Sequence, residues 1–322
     1  MRTLMPVLWL VVACGKPPAL RAPQTPTSAP SGLAGSPSPA ESRRTVRLGS
    51  LRDSIVRHIT AVQGAEVAVW YHNFANGDTL AREADVSYHA ASTMKVPVMI
   101  ELFRRADAGT IALDQTMVLA NQFRSIVDGS PYSLTAADDS DTEIYQRVGV
   151  SISYRELNER MITHSSNLAT NVLIDVLDAG RVNETSRALG AVGMRVLRGV
   201  EDTKAYEKGL NNTTTARALG VLLDAIEHGL AASRTASDSM RAVLLRQTEQ
   251  GEIPAGLPPG TRIAHKTGWI TATTHDAAIV YPPGQAPYVL VLLTRKIADR
   301  PVAQKLMADI SRVVWESATT SR

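Results

Sequence analysis

Strand-forming segments near both ends of the folded region, with helical segments between them, constrain the fold of this chain more than any other feature. Near the first end, "AEVAVWYHNF" is rich in strand-forming residues and is followed by the turn signal "ANGD". Near the other end, "TRIAHKTGWITA", "HDAAIVYPPG" and "APYVLVLLTR" predict three strands, with a tight turn at "PPGQ". The sequence therefore predicts an α/β (α+β) fold, in which an antiparallel sheet built from both chain ends is flanked by helices and lies beside an all-helical subdomain.

Two helices are predicted to flank these strands, one before the first strand and one after the last. In "VRLGSLRDSIVRHITAVQ", the apolar residues at the spacing of one helix face are Leu48, Leu51, Ile55, Val56 and Ile59. In "PVAQKLMADISRVVWESA", the residues with this spacing are Val302, Leu306, Ile310 and Val314. The polar stretch 121–149 carries the acidic run "DDSD" and is predicted to form an excursion over the surface.

The first residues have the layout of a signal peptide. In "MRTLMPVLWLVVACGK", Arg2 precedes an apolar stretch from Leu4 to Val12 that is too short to span a membrane. Ala13 and then Cys14 follow, and a cysteine directly after a small residue resembles a bacterial lipoprotein signal. That resemblance implies lipid attachment at Cys14, export to the periplasm or cell envelope, and a membrane anchor. An ordinary secretory signal or a misplaced start codon remains the alternative.

The chain is predicted to have three parts: a signal peptide at 1–14, a linker at 15–45 and a folded domain at 46–319. The linker contains "PPALRAPQTPTSAPSGLAGSPSPAES", which has almost no large apolar side chains. Such a stretch cannot bury enough surface to offset the entropy of ordering, so we expect a flexible tether.

Composition excludes several classes of function. The net charge is only +3, from 34 basic and 31 acidic residues, so nothing favours nucleic acid as a partner. No H-E-x-x-H, C-x-x-C or histidine pair at metal spacing occurs, and no G-x-G-x-x-G or Walker-type loop occurs. We therefore expect neither a metal nor a cofactor, and a monomer that acts on a small-molecule substrate.

A serine and a lysine lie three positions apart in "HAASTMKVPVMIELF", where a run of small residues leads into an apolar helical segment. On a helix, positions i and i+3 share one face, so Ser92 and Lys95 would lie close together. This pair alone is a weak signal, because a serine near a helix start is also an ordinary cap and a lysine ordinarily reaches solvent.

Two further motifs strengthen the signal. "THSSNLATN" contains Ser165 and Asn167 inside a helical segment, and "AHKTGW" contains Lys266, Thr267 and Gly268 on a predicted strand. Each has a plain structural alternative, a polar helix-to-loop junction and a solvated edge strand respectively. In order, however, S-x-x-K, S-x-N and K-T-G form the signature set of serine penicillin-recognising enzymes.

Over roughly residues 46–316 the chain resembles the class A β-lactamase family. The resemblance implies a β-lactamase-like fold and a serine hydrolase that opens β-lactam amides through an acyl-enzyme on Ser92, which is then hydrolysed. Such an activity confers antibiotic resistance. It also implies a β-lactam or a peptidoglycan-like molecule as the substrate.

The resemblance also implies a role for each motif residue in acylation. Ser92 would be the nucleophile and Lys95 its base, since burial and the nearby Lys266 should lower the pKa of Lys95. Ser165 would pass a proton to the leaving nitrogen. Asn167 would orient Lys95 and contact the substrate. We also expect both lysines to approach the hydroxyl of Ser92.

The K-T-G strand would bind the substrate. Lys266 and Thr267, with Gly268, would hold its carboxylate through charge-assisted hydrogen bonds. The backbone N–H groups of Ser92 and Trp269 would form the oxyanion hole. Trp269 would also make the wall of the site bulky, unless it simply packs in the core.

The chain departs from the family in the loop that should carry the deacylation base. Glu201 lies where the family has the glutamate of E-P-x-L-N, but Asp202 replaces the proline and Ala205 replaces the water-holding asparagine. Glu207 is a second candidate base, and Asn212 stands where the family has an aspartate. Glu201 could therefore be the base or a solvent-facing carboxylate.

Two other functions remain open on the same Ser-Lys pair. One is a cell-wall peptidase, transpeptidase or esterase. The other is a penicillin- or muropeptide-binding lipoprotein that is acylated and stays so. A Glu201 beside the nucleophile favours hydrolysis, and a Glu201 that points into solvent favours the binding protein.

Overall fold

The computed structural model describes residues 38–320. The helices of this range are α1 (Pro39–Thr60), α2 (Lys95–Asp107), α3 (Tyr154–Thr163), α4 (Asn167–Leu177), α5 (Ala179–Ala188), α6 (Thr203–Glu207), α7 (Ala216–Glu227), α8 (Arg234–Leu244) and α9 (Arg300–Thr319). The strands are β1 (Glu66–Asn73), β2 (Thr79–Arg82), β3 (Tyr88–His89), β4 (Thr116–Val118), β5 (Phe123–Arg124), β6 (Pro131–Tyr132), β7 (Ser151–Ser153), β8 (Thr213–Thr214), β9 (Arg262–Ile270), β10 (Thr273–Tyr281) and β11 (Tyr288–Arg295).

The five long strands form one antiparallel sheet in the order β2-β1-β11-β10-β9. The first strand of the domain pairs with the last, with Val69 opposite Leu292 at the centre of the β1–β11 ladder. This arrangement confirms the prediction of an antiparallel sheet assembled from both chain ends. It also places β9, which carries the K-T-G triplet, at the edge of the sheet.

Helices cover both faces of the sheet, so its central strands are buried throughout. On one face α1 and α9 pack side by side, with Leu51 and Ile55 of α1 near Leu306 and Ile310 of α9 in one apolar cluster. On the other face α7 packs against β1, β10 and β11, and the remaining helical segments extend from there. Burial on both faces explains why β11 is a nearly continuous apolar run rather than an alternating one.

The first helix begins earlier than the sequence pattern indicates. It starts at Pro39, with Ser38 as its N-cap in a capping box closed by Glu41, so the prediction of a linker up to residue 45 is wrong at its C-terminal end. The reason is that this end is stabilised by the cap and by Arg44 bound to Asp78, whereas apolar periodicity begins only later. The predicted signal peptide and Cys14 lie outside the described residues. Within 38–320 no helix is long and apolar enough to span a bilayer.

The sequence predicts that the polar stretch 121–149 forms an excursion over the surface, but this stretch also contributes to the core. It forms the short strands β5 and β6, and Phe123, Leu134 and Ile144 anchor it in the main core. Two of its acidic residues, Asp139 and Asp141, are buried as well. The stretch therefore forms part of the structure around the S-x-N motif.

Candidate active site

The nucleophile lies on a short 3-10 turn rather than in a regular α-helix. Ser92 belongs to the turn Ala91–Met94, which runs directly into α2, and Lys95 is the first residue of that helix. Ala91 has a φ of 45°, a left-handed conformation that is unusual for a residue with a side chain. The turn still brings Lys95 Nζ within 3.0 Å of Ser92 Oγ, so the pair meets as the i, i+3 spacing predicts.

Lys95 is fully buried and is surrounded by four oxygen atoms. Its Nζ lies 2.5 Å from Ser165 O, 2.9 Å from Asn167 Oδ1, 3.0 Å from Ser92 Oγ and 3.1 Å from Ser165 Oγ. The carbonyl and the amide oxygen can only accept hydrogen bonds, whereas the two hydroxyls can also donate. A neutral amine therefore satisfies the site by donating its two N–H groups to the first two atoms and receiving a hydroxyl proton on its lone pair.

Burial and the second lysine favour that neutral form. Desolvation, and then repulsion from Lys266, hold the pKa of Lys95 well below its ordinary value. Burial also lowers the pKa of Lys266, to about 8, although Asp276, Glu249 and Glu252 oppose that shift. The lowered pKa of Lys95 makes this amine the better proton acceptor of the pair.

Ser165, not Ser92, is the hydroxyl that both lysines share. Lys266 Nζ donates to Ser165 Oγ at 3.0 Å and to the backbone carbonyl of the next residue on β9, Thr267, at 2.8 Å. The expectation that Lys266 approaches Ser92 itself is therefore not met, because β9 presents this side chain to the start of α4. The three motifs still converge, and the hydroxyl between the two amines is well placed to relay a proton.

Gly268 lets β9 approach the nucleophile turn closely. A Cβ atom at this position would lie 2.7 Å from Ser92 N and 2.9 Å from Thr93 N, closer than real Cβ atoms come. The backbone N–H of Trp269 follows directly on the strand. A glycine here therefore permits the two N–H groups of a candidate oxyanion hole, those of Ser92 and Trp269, to lie on adjacent backbones.

Glu201 lies in the wall of the cleft beside the nucleophile. Ser92 opens onto two adjoining cavities of about 350 Å³ each, and Glu201 lines both, together with Asn167 and Trp269. The residue as a whole is exposed, yet desolvation of its carboxyl group and then repulsion from Asp138 raise the pKa of that group. Glu207, the other candidate base, is exposed on α6 and is not among the residues that line these cavities.

Comparison with known proteins identifies this arrangement. Residues 50–318 match the model of the beta-lactamase enzyme family. The chain belongs to that family. The β-lactamase AST-1 of Nocardia asteroides is 30% identical over 85% of this chain and 86% of its own length.

Solved structures show the same fold. A mutant of PBP-A, in an acyl-enzyme complex with penicillin G, is 27% identical with a TM-score of 0.72, over 84% of this chain and 96% of that one. An ancestral class A β-lactamase is 25% identical with a TM-score of 0.71, over 84% of this chain and 99% of that one. These similarities confirm the predicted family and fold.

Two neutral amides are among the groups that hold the loop around Glu201. Asn171 on α4 binds both backbone groups of Val200, accepting from its N–H at 2.6 Å and donating to its carbonyl at 2.9 Å. At the neck of the loop, where residues 197–198 meet residue 212, the Asn212 side chain accepts from the N–H groups of Leu197 and Arg198 and donates to Arg198 O. The asparagine at 212 thus closes the loop without the negative charge of the family's aspartate.

Ser166 and Asp139 together explain how the S-x-N motif is positioned. Ser166 is the N-cap of α4, and its hydroxyl accepts from Ala169 N. The carboxylate of Asp139 accepts from the N–H groups of Asn167 and Leu168 at 2.9 Å, which places a negative charge at the start of the helix. With the cap provided by a serine, the acidic residue comes from the stretch 121–149 instead of from the motif itself.

Trp269 faces the cavity and does not pack in the core. Its side chain is half exposed, it lines both cavities, and the guanidinium of Arg300 lies 4.7 Å from the ring centroid. Glu249 and Glu252 in turn bind the Arg300 guanidinium. The interpretation of Trp269 as a bulky wall of the site agrees with this placement.

Sequence reasoning missed several residues that shape the site. Asp139, Asn171, Arg198 and His89 were not singled out for a role, although all contact or line it. Only the acidic run "DDSD" carried a signal, and it was interpreted as solvated surface. A search for a buried partner for the exposed N–H groups at the start of α4 could have found Asp139.

Proposed function

We propose that this protein is a serine β-lactamase that opens the β-lactam amide through an acyl-enzyme on Ser92 and then hydrolyses it. One observation carries the proposal: the buried Lys95 Nζ lies 3.0 Å from Ser92 Oγ and 3.1 Å from Ser165 Oγ. Family membership and the penicillin acyl-enzyme seen with a PBP-A mutant support the same substrate class.

Acylation follows from these contacts. The Lys95 amine takes the proton of the Ser92 hydroxyl, and Oγ bonds to the lactam carbonyl carbon as the oxyanion forms near the N–H groups of Ser92 and Trp269. When the C–N bond breaks, the lactam nitrogen receives a proton from Ser165 Oγ. Ser165 recovers a proton from the Lys95 ammonium, so no net charge is left behind.

Deacylation needs a second base, and Glu201 is a carboxylate that lines both cavities onto which Ser92 opens. A water loses a proton to the Glu201 carboxylate, and its oxygen bonds to the acyl carbon. The C–Oγ bond then breaks as the proton held by Glu201 passes to Ser92 Oγ, which restores both the hydroxyl and the carboxylate. The raised pKa of Glu201 makes its carboxylate a stronger proton acceptor than an ordinary glutamate. Lys266 and Thr267 would bind the substrate carboxylate during both steps.

Intact-mass spectrometry with benzylpenicillin, followed over time, tests the two steps separately. We expect a transient adduct in the wild-type protein and none in Ser92→Ala. In Glu201→Gln we expect the adduct to form at a normal rate but to persist, with release slower by about 10²–10⁴-fold. Glu207→Gln, on the same loop but outside the cavities, is the matched control and should release normally. Equal release in Glu201→Gln and the wild type would remove Glu201 from the mechanism.

A second function is favoured by one observation, the buried methyl of Ala205 where the family has a water-holding amide. Poor water positioning would make the protein a slow hydrolase, such as a penicillin-binding peptidase or a binding protein that stays acylated. The similarity to PBP-A is compatible with that alternative. A wild-type adduct that persists for hours would favour it over the β-lactamase.

We further propose that the protein is exported, anchored to a membrane through a lipid on Cys14, and monomeric. The apolar stretch before Cys14 and the Pro- and Ser-rich segment after it support this arrangement. Detergent partitioning of the expressed protein tests it, since Cys14→Ala should move the protein from the membrane fraction to the soluble fraction.

A further inference from the structure

The cavity beneath the Glu201 loop is lined by one residue of 38–320 that has a buried side-chain nitrogen without a hydrogen-bond partner. We call it the loop cavity; it is the one of the two that is also lined by His89, Arg198, Tyr206 and Asn212. An ordered water between Glu201 and the nucleophile needs further polar partners, because such waters ordinarily make about two to four hydrogen bonds. A side chain that lines this cavity must supply such a partner.

Two of the polar side chains are already engaged in the loop itself. The Arg198 guanidinium donates three of its five N–H groups to the loop, at Leu210 O, Gly199 O and Asn211 Oδ1. The Asn212 amide donates both of its N–H groups, to Arg198 O and to Met94 Sδ.

His89 differs from them. Its Nδ1 accepts a hydrogen bond from Ala91 N–H at 3.0 Å, which requires an unprotonated Nδ1 and places the ring proton of the neutral form on Nε2. That Nε2 is buried and has no hydrogen-bond partner within residues 38–320. Burial, reinforced by Arg198, lowers the pKa of His89 to about 4, so the ring stays neutral and Nε2 keeps its proton at physiological pH.

The position of His89 fits a role between nucleophile and loop. It lies three residues before Ser92, on β3, which pairs with β8 at the neck of the loop. Its ring centroid lies 6.4 Å from that of Tyr206, the neighbour of Ala205 on α6. The imidazole therefore lies next to the helix that carries a methyl at position 205, and lines the cavity shared by Ser92 and Glu201.

We propose that the Nε2–H group of His89 donates a hydrogen bond to the water that attacks the acyl-enzyme, which makes His89 a positioning residue for deacylation. The inference rests on the proposed β-lactamase function. His89 exchanges no proton: the water gives one proton to Glu201 and its oxygen lone pair to the acyl carbon. The hydrogen bond occupies the other lone pair and so fixes the direction of attack.

Two substitutions separate this role from the structural role of His89 in holding Ala91. In His89→Asn the side-chain oxygen can replace Nδ1 as acceptor for Ala91 N–H, but nothing replaces Nε2–H. In His89→Gln the amide nitrogen can reach the position of Nε2, while the acceptor close to the backbone is lost. The rates of adduct formation and release with benzylpenicillin are measured for both by rapid-quench mass spectrometry.

We expect His89→Asn to form the adduct at the wild-type rate and to release it about tenfold more slowly, as the loss of one hydrogen bond to the attacking water implies. His89→Gln should release faster than His89→Asn, even if its acylation is slower. The proposal would be overturned if His89→Asn released the acyl group as fast as the wild type, or faster than His89→Gln. Failure of the wild type to release at all would instead refute the proposed function.

A measurement that keeps His89 in place covers the case in which a His89 variant does not fold. Nitrogen-detected NMR of the histidine rings should show His89 as the neutral Nε2–H tautomer from pH 5 to 8, with its signal perturbed when the acyl-enzyme of Glu201→Gln forms. An Nδ1–H tautomer would refute the proposal, because Nε2 could then not donate.

Discussion

Replacing Gly268 by alanine should disable acylation while leaving the fold intact. The added Cβ would lie 2.7 Å from Ser92 N and 2.9 Å from Thr93 N, and both are backbone atoms that cannot rotate away. Ordinary carbon contacts begin at about 3.5 Å, so β9 and the nucleophile turn must separate by roughly 0.8 Å. That displacement widens the gap between the N–H groups of Ser92 and Trp269.

The size of the effect follows from the geometry of the oxyanion hole. Its donors act at about 2.7–3.1 Å from the oxyanion, and loss of one such donor costs about 10²–10³ in kcat. A separation of roughly 0.8 Å takes one donor out of that range, so we expect acylation of Gly268→Ala to slow by about 10² or more. The assay is the rate of covalent labelling by benzylpenicillin under single-turnover conditions.

Gly49 on α1 provides the matched control. No atom lies within 4 Å of a Cβ at that position, so Gly49→Ala should label normally and should raise stability, because alanine is favoured over glycine in a helix by about 1 kcal/mol. Wild-type labelling by a folded Gly268→Ala would refute the reasoning. It would show that the two backbones can separate without cost to the chemistry.

Three other predictions concern the base, a buried histidine and the loop. Lys95→Ala should slow acylation by about 10²–10⁴-fold, measured by the same labelling assay. Burial lowers the pKa of His275 to about 4, below the ordinary value of 6.5, so the unfolded state binds the extra proton first and stability falls as the pH drops from 6.5 through 4. His275 should contribute about 3 kcal/mol of this loss in urea titrations at a series of pH values. His275→Gln should remove that contribution and leave the one of His89, whose pKa is lowered over the same pH range. Asn212→Ala removes three hydrogen bonds from the loop neck and should cost about 2–4 kcal/mol on unfolding, with slower release of the acyl group than in the wild type.

The sheet and the three motifs could be predicted because their signals are local. Strand-forming residues in β1 and in β9 to β11 mark both chain ends, and a topology that unites them follows from the need to bury their apolar faces. The i, i+3 spacing of Ser92 and Lys95 likewise fixes a contact by itself. The start of α1 was missed because a capped, solvent-exposed helical end carries no apolar periodicity.

What could not be predicted depends on tertiary contacts. Which hydroxyl Lys266 contacts, that of Ser92 or that of Ser165, depends on the tertiary placement of β9, which no spacing in the sequence encodes. Asp139 lies in a polar run typical of solvent-exposed surface, and its burial follows from the unpaired N–H groups at the start of α4. A lone histidine such as His89 is more often structural, and only its unpaired Nε2 distinguishes it.

Three residues of this site have left-handed backbone conformations, and different groups hold each of them. Ala91, Ser165 and Glu201 all adopt left-handed φ angles, of 45°, 59° and 61°, which costs of order 1–3 kcal/mol each. The conformation of Ser165 is held by the Lys95 amine, which donates a hydrogen bond to the backbone carbonyl of Ser165.

The conformation of Glu201 is held through both of its neighbours in the chain. Asn171 binds the N–H and the carbonyl of Val200, and the buried carboxylate of Asp202 accepts hydrogen bonds from Ser125 Oγ and Ile126 N–H. These contacts fix the second base and not the Ser92–Lys95 pair. Substitution of Asn171 or Asp202 should therefore slow release of the acyl group more than its formation, because only release depends on the position of Glu201.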